Sequence, residues 1–262
     1  MEKVIVVGYS EIALKGRNRQ GFEQRLVDNI RACLNLKGLK ILRFYGRIYV
    51  HTAEKAIPAL RKVFGIHSMA YSVRVHPDLE TLKSAIRKLI MHLKFESFRM
   101  SVRRVNKQFP IKSMELNSLL GAFVVELTGA KVRLKHYGLN IFVEIADAAY
   151  IYFEKVPAHG GLPVGSQGSI AVKLDTEEDA LAAILMMKRG CMVKPYGTTK
   201  LRLLEAYALK PLESRPIGEL QAEPAVCVGD CCGLLGHYDF PVFKPLISLT
   251  SSEIKKLKLE YF

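Results

Sequence analysis

Apolar and polar positions along this chain switch between two periods, and the switches mark out the elements. Residues 4–9 form a β-rich apolar run, after which Phe22, Leu26, Ile30, Cys33 and Leu34 recur at helical spacing from Gly21 onward. Residues 40–44 and 47–51 flank Tyr45-Gly46, the pattern of two short strands joined by a tight turn, with Ile48 and Val50 alternating with polar neighbours. Residues 56–63 predict a second helix and residues 69–75 a fourth strand. The order βαββαβ over residues 1–75 predicts a ferredoxin-like unit, a sheet with both helices on one face.

A second α/β unit is expected from residue 76. Asp78 is placed to cap a helix whose apolar stripe is Leu79, Leu82, Ile86, Leu89, Ile90 and Leu93. Residues 98–103 follow as a strand. Ser113 is placed to cap the next helix, with Leu116, Leu119, Leu120, Phe123 and Leu127 on one face and Gly129 at its end. Ile141, Val143 and Ile145 then alternate along a strand, with residues 150–153 as its partner. The Gly- and Pro-rich stretch of residues 157–165 marks a boundary, so the second domain is expected to span residues 76–165. Beyond it, strand-like and helix-like segments alternate at 169–172, 177–189, 192–196, 201–208 and 225–228, as in a parallel sheet, over a third domain of residues 166–262.

Charge changes this picture by dividing unevenly. Residues 1–165 hold 27 Lys and Arg against 13 Asp and Glu, whereas residues 166–262 hold 12 of each. Clustered cations gain free energy by displacing counterions from a phosphate backbone, so the first 165 residues are expected to meet a polyanion. Only six Asn and five Gln fit a heat-adapted source, but thermal adaptation favours balanced ion-pair networks, not a one-sided excess. No apolar stretch approaches the roughly 20 residues that cross a bilayer, and a cytoplasmic protein is expected. Five cysteines, an odd number, speak against a disulfide framework. Cys227, Cys231 and Cys232 lack paired CxxC spacing and have only His237 as an obvious further ligand, so packing is expected of them, not a metal site.

Several strings together resemble one family. They are residues 11–19 (EIALKGRNR), Val102-Arg103-Arg104, Val132-Arg133-Leu134, and residues 160–165 (GGLPVG). Over nearly the whole chain this is similar to the tRNA 4-thiouridine synthetases, or tRNA sulfurtransferases, which join a ferredoxin-like domain, a THUMP RNA-binding domain and a PP-loop adenylation domain. The resemblance implies an α/β chain of that architecture whose first two domains grip tRNA. The residues implied for this role are Lys15, Gly16, Arg17 and Arg19 in the first loop, Arg103, Arg104 and Lys107 after the THUMP strand, and Lys131 and Arg133, with Lys135 nearby. Arg forks and Lys ammonium groups suit phosphate, and Gly16 is expected to let the backbone approach closely.

The third domain departs from the family where its chemistry belongs. A working PP-loop carries SGGxDS between a strand and a helix, so that backbone and hydroxyl groups cradle the pyrophosphate of ATP. Alignment on residues 187–191 (MKRGC) puts that string on residues 174–179 (LDTEED), which hold no glycine. Thr176 remains a good N-cap, but four carboxylates replace the cradle and are expected to repel one another and phosphate. Residues 228–233 and 241–247 resemble further segments of the family's domain only in part. The family's sulfur-accepting cysteine lies downstream of them, where this chain stops at Phe262, so the resemblance leaves both cradle and thiol missing. The resulting expectation is a tRNA-binding protein with an inactive adenylation domain, no catalytic residue, no cofactor and no metal. Its partners would be tRNA and a protein of tRNA modification, or a second copy of the chain. A sulfurtransferase whose partner supplies the cysteine is the alternative, and a binder of DNA or generic RNA a third.

Overall fold

The computed structural model describes residues 1–44, 46–197, 201–223, 225–229 and 241–262. Tyr45 of the expected tight turn, and Cys231, Cys232, Gly233 and His237, lie outside them. In chain order the elements are β1 (Glu2–Gly8), two 3-10 turns (Glu11–Leu14 and Gly16–Asn18), α1 (Arg19–Leu34), β2 (Ile41–Phe44), β3 (Arg47–Val50), α2 (Ile57–Arg61) and β4 (Ser68–Val75). They continue with α3 (Leu79–Ile90), β5 (Ser97–Arg104), α4 (Ser113–Thr128), β6 (Lys131–Val132), β7 (Leu139–Ile145), β8 (Ala149–Tyr152) and β9 (Val156–Pro157). The last group is β10 (Ser169–Lys173), α5 (Glu177–Lys188), β11 (Met192–Tyr196), α6 (Leu201–Glu205), β12 (Val226–Cys227), β13 (Val242–Phe243) and α7 (Ser251–Tyr261). Among the described residues no helix is long and apolar enough to cross a membrane.

Two compact units divide these elements. The first comprises Met1–Gly8, Lys37–Ile57 and Ser68–Pro157, and the second Tyr9–Leu36, Pro58–His67 and Ala158–Phe262.

One sheet runs through the first unit in the order β2-β3-β1-β4-β8-β7-β5-β6, with β9 also on β4. The two strand sets that the sequence suggests as separate units are thus continuous, because β4 pairs antiparallel with β8 through Val73 and Ile151, Arg74 and Tyr150, and Val75 and Ala149. Alternation along β5, β7 and β8 sends Phe98, Met100, Ile141, Val143, Ile145 and Ile151 into one core with Leu82, Ile86 and Ile90 of α3 and Leu116, Leu120 and Val124 of α4. Each such side chain contributes about 1.5–3 kcal/mol of burial, which fixes the register, since a slip of one residue would turn the whole set outward. Asp78 caps α3 as expected, its carboxylate accepting from Thr81 N at 2.8 Å. Ser113 does not cap α4. It is the first helical residue, and its hydroxyl accepts from Arg104 N at 3.2 Å because the end of β5 presents a free N–H there.

In the second unit β10, β11, β12 and β13 form a parallel sheet in the order β11-β10-β12-β13. Helix α5 is buried along most of its length and, with Tyr207, Ile254 and Tyr261, forms the core against β10. The Gly- and Pro-rich stretch behaves as a packed strap and not as a loose linker. Leu162 and Val164 are buried, Leu162 N donates to Lys188 O at 2.9 Å, and Asn29 Nδ2 of α1 donates to Val164 O at 3.1 Å. His159 stacks on Tyr261 with centroids 4.8 Å apart and stands 3.5 Å from Glu260. Burial holds its imidazole below the usual pKa.

Candidate nucleic-acid interface

The sheet face of the first unit opposite α3 and α4 carries the other half of the alternation. Strand β5 contributes Arg99, Ser101 and Arg103, β7 contributes Phe142 and Glu144, and β8 contributes Tyr152. With Arg47 of β3, Leu134 and Lys155 they line an open groove of about 440 Å³. At its floor Phe142 and Tyr152 stack with centroids 4.9 Å apart and planes 15° from parallel. Glu144 is buried there, and its partners explain how a carboxylate survives without water. Tyr49 OH donates to Oε1 at 3.1 Å, Arg47 Nε donates to Oε2 at 3.3 Å, and Arg103 stands 3.8 Å away. Burial, with the Glu144 charge next in size, pushes the Tyr49 phenol well above its ordinary range, so it stays a donor. Burial and then the Arg47 charge hold the Lys155 ammonium below its usual pKa.

The residues singled out from the sequence fall into distinct environments. Arg103 is exposed at the groove. Arg104 is half-buried: its Nη1 donates to Phe109 O at 2.8 Å and Ile111 O at 3.4 Å, which ties down the segment before α4. Lys107 lies exposed on that segment, and Lys131 and Arg133 are exposed where β6 runs parallel to β5. Lys15, Gly16, Arg17 and Arg19 belong to the second unit and form their own group around the 3-10 turns. Arg17 is exposed there, and Lys15 Nζ lies 5.2 Å from the Phe22 ring centroid. Arg19 is committed internally, with Nε donating to Glu23 at 2.7 Å and Nη2 to Tyr9 OH at 2.7 Å, while Tyr9 OH also donates to Glu23. Gly16 adopts φ +53°, a backbone conformation that favours glycine, and a Cβ there would meet no atom of the chain within 4 Å. Sequence reading missed Arg47, Arg99 and Lys155. For Arg99 a signal existed in the i, i+2, i+4 spacing of Arg99, Ser101 and Arg103 on one strand face, whereas Arg47 reaches the groove only because β3 and β7 share a sheet.

At the loop between β10 and α5 the second unit is arranged to hold an anion, and the anion it holds is its own. Thr176 caps α5, its hydroxyl accepting from Asp179 N at 3.1 Å. The Asp179 carboxylate turns back into the loop. Its Oδ2 accepts from Thr176 N at 2.9 Å, Thr176 Oγ1 at 2.8 Å and Asp175 N at 3.2 Å, and its Oδ1 accepts from Gly229 N at 2.8 Å. Gly229 presses so closely that a Cβ there would stand 2.1 Å from the Glu178 carbonyl carbon. The repulsion expected among four carboxylates is relieved by partners that the sequence does not reveal. Asp175 pairs with Lys173 at 2.6 Å, and Lys258 of α7 bridges Glu177 at 3.0 Å and Glu178 at 2.8 Å. Cys227, buried beside this loop, has its thiol pushed up to about 12 by burial first and the Asp179 charge second. Among the described residues no group of three or more His, Cys, Asp or Glu side chains is placed to hold a metal ion.

Residues 4–70 match the ThiI ferredoxin-like domain family and residues 76–154 the THUMP domain family. A Thermococcus kodakarensis protein named probable tRNA sulfurtransferase is 37% identical over 209 residues, 74% of this chain and 55% of that protein. A protein of the same name from Caldanaerobacter subterraneus is 37% identical over 200 residues, 74% of this chain and 53% of that protein. The chain therefore spans about half the length of these curated relatives. Among solved structures, PH1313 from Pyrococcus horikoshii is similar with a TM-score of 0.83 at 30% identity, over 98% of this chain and 99% of that one. A 4-thiouridine synthetase solved with RNA and bound ATP shares the fold at 22% identity and a TM-score of 0.77, over 99% of this chain and 85% of that one.

Proposed function

The chain belongs to the tRNA sulfurtransferase family as a THUMP-domain member with the ThiI ferredoxin-like domain, and from that premise we propose that it binds tRNA through residues 1–165 while residues 166–262 hold no ATP. In this reading residues 1–75 and 76–165 are the ferredoxin-like and THUMP domains, and the third is an adenylation domain out of use. The tRNA limb is supported by the relatives' names and by the charge excess of the first 165 residues, part of which lies on an open sheet face as Arg99, Arg103 and Lys155.

The observation that carries the second limb is the Asp179 carboxylate. Pyrophosphate at a strand-to-helix turn needs backbone N–H groups free to point at it. Here Asp175, Thr176 and Gly229 already donate to a covalently tethered anion, present at an effective concentration that free nucleotide does not reach. An incoming phosphate would first have to displace the Asp179 carboxylate from these donors. The test is calorimetry of the purified chain with tRNA and with ATP. Binding of tRNA that weakens steeply with salt, and no heat with ATP at millimolar concentration, is the expected result. Saturable ATP binding, or pyrophosphate released when tRNA is added, overturns the closed-loop reading and favours a sulfurtransferase that acts with a thiol-bearing partner.

A further inference from the structure

A cavity of about 340 Å³ opens between α1, the strap at Val164, the start of β11 and the segment 208–212, all within the second unit. Its lining is mostly apolar. Val164 and Met187 are buried there, and Val193, Leu209 and Leu212 are half-buried around the opening. Two of the walls are pinned and cannot collapse into the space, because Asn29 of α1 donates to Val164 O at 3.1 Å and Gly165 N donates to Gly190 O at 2.8 Å. Apolar surface held open in this way gains when a ligand covers it.

The charged side chains that line the cavity are Arg25, Lys210 and Asp28, which leaves one positive charge in excess. Asp28 is already engaged, its Oδ1 accepting from Gln24 Nε2 at 2.9 Å and lying 3.7 Å from Arg31 Nη1. Among the described residues Arg25 and Lys210 form no ion pair. Arg25 lies across the strap, where a Cβ added at Gly165 would stand 3.8 Å from its Nε and Cζ. The guanidinium therefore meets the apolar wall beside Val164, and a ligand with a negative end and an apolar body suits both.

Two details narrow the chemistry. Asp28 follows Arg25 by three residues on the same helix and repels a second negative charge, which favours a carboxylate over a phosphate dianion. The described residues of the lining include two methionines, Met187 and Met192, and no aromatic ring. Such walls follow the contour of a flexible methylene chain and give a flat ring no stacking surface.

We propose that this cavity binds a straight-chain monocarboxylate, with its carboxylate on Arg25 and its methylenes along Val164, Met187 and Leu209. The site shares no residue with the basic groove or with the turn at Asp179, so it stands or falls apart from tRNA binding.

The experiment titrates the full chain by calorimetry, without RNA, with the straight-chain acids from butanoate to decanoate below micelle-forming concentrations. Saturable one-to-one binding is expected, tightening about fourfold with each buried methylene until the cavity is full and then levelling. Octan-1-ol, the same chain without the charge, is expected to bind about tenfold more weakly than octanoate, and Arg25→Gln, at an exposed position, to erase that difference. Met192→Trp places a large ring at the opening from a side chain that is 54% exposed, and is expected to abolish octanoate binding with the melting temperature unchanged. No saturable binding of any of the acids overturns the proposal. So does octanol binding as tightly as octanoate, or undiminished octanoate binding by folded Met192→Trp together with Arg25→Gln. Octyl phosphate binding about tenfold more tightly than octanoate overturns the choice of a monocarboxylate.

Discussion

The groove on the sheet of the first unit and the turn between β10 and α5 in the second both offer donors suited to phosphate, and they differ in what meets those donors. In the groove the donors are side chains on a strand face, Arg99 and Arg103, with Lys155 beside them, and the nearby carboxylate is already saturated by its own partners. At the turn the donors are backbone N–H groups, and a carboxylate from the same helix accepts from all of them. A helix N-terminus is a general anion site, so its presence says nothing of function until its acceptor is known. The first place leaves Arg99 and Arg103 exposed, and at the second the donors are taken up within the fold.

The largest effect that could break this comparison is at the turn. Asp179→Ala leaves Asp175 N, Thr176 N and Gly229 N without their acceptor, and is expected to destabilise the second unit by on the order of 3 kcal/mol, read as a lower urea midpoint. Asp179→Asn, which keeps an oxygen acceptor but loses the charge, is expected to lose about half as much. If Asp179→Ala proves neutral and the protein then binds ATP, the carboxylate is a removable plug and the two places are alike.

A smaller effect is expected at the groove. Arg99→Ala with Arg103→Ala should weaken tRNA binding about tenfold and lower the slope of log K against log salt by roughly 0.7–0.9 per lost contact. Lys255→Ala with Lys256→Ala, on exposed positions of α7, should change neither quantity by more than about twofold. Lys258 does not belong in that control, since it bridges Glu177 and Glu178. A salt dependence carried by Lys255 and Lys256 would sink the division of labour between the two places.

The smallest effect separates two neighbours that look equivalent in sequence. Arg104→Ala is expected to reduce stability by about 1 kcal/mol, because Phe109 O and Ile111 O lose a charged donor, and to leave the salt slope as it was. A slope that falls as it does for Arg103 would put Arg104 back among the phosphate contacts.

Much of the architecture was legible in the sequence because periodicity reports burial directly. The alternation of Ile141, Val143 and Ile145, and Leu82, Ile86, Ile90, Leu116 and Leu120 of the helix stripes, follow from the need to bury one face, whereas Leu93, Leu119 and Leu127 of the expected stripes are exposed; Asp78 and Gly129 end their helices as expected. The charge division at residue 165 is likewise a property of composition alone. Candidate residues were less legible. Arg103 and Arg104 are adjacent and chemically identical, yet successive residues of a strand point to opposite faces, and what each face meets is not local information.

By itself, then, the sequence determined most of the order of elements, the confinement of the net charge to residues 1–165 and the lack of glycine in residues 174–179. Tertiary structure alone decided that β4 pairs with β8 and that Arg47 joins Glu144 across 97 residues of chain. It also decided that Lys258 bridges Glu177 and Glu178 from a helix some 80 residues away. Local pattern follows from which faces must leave water, whereas the pairing of charges depends on where distant strands and helices come to rest, which no window of sequence contains.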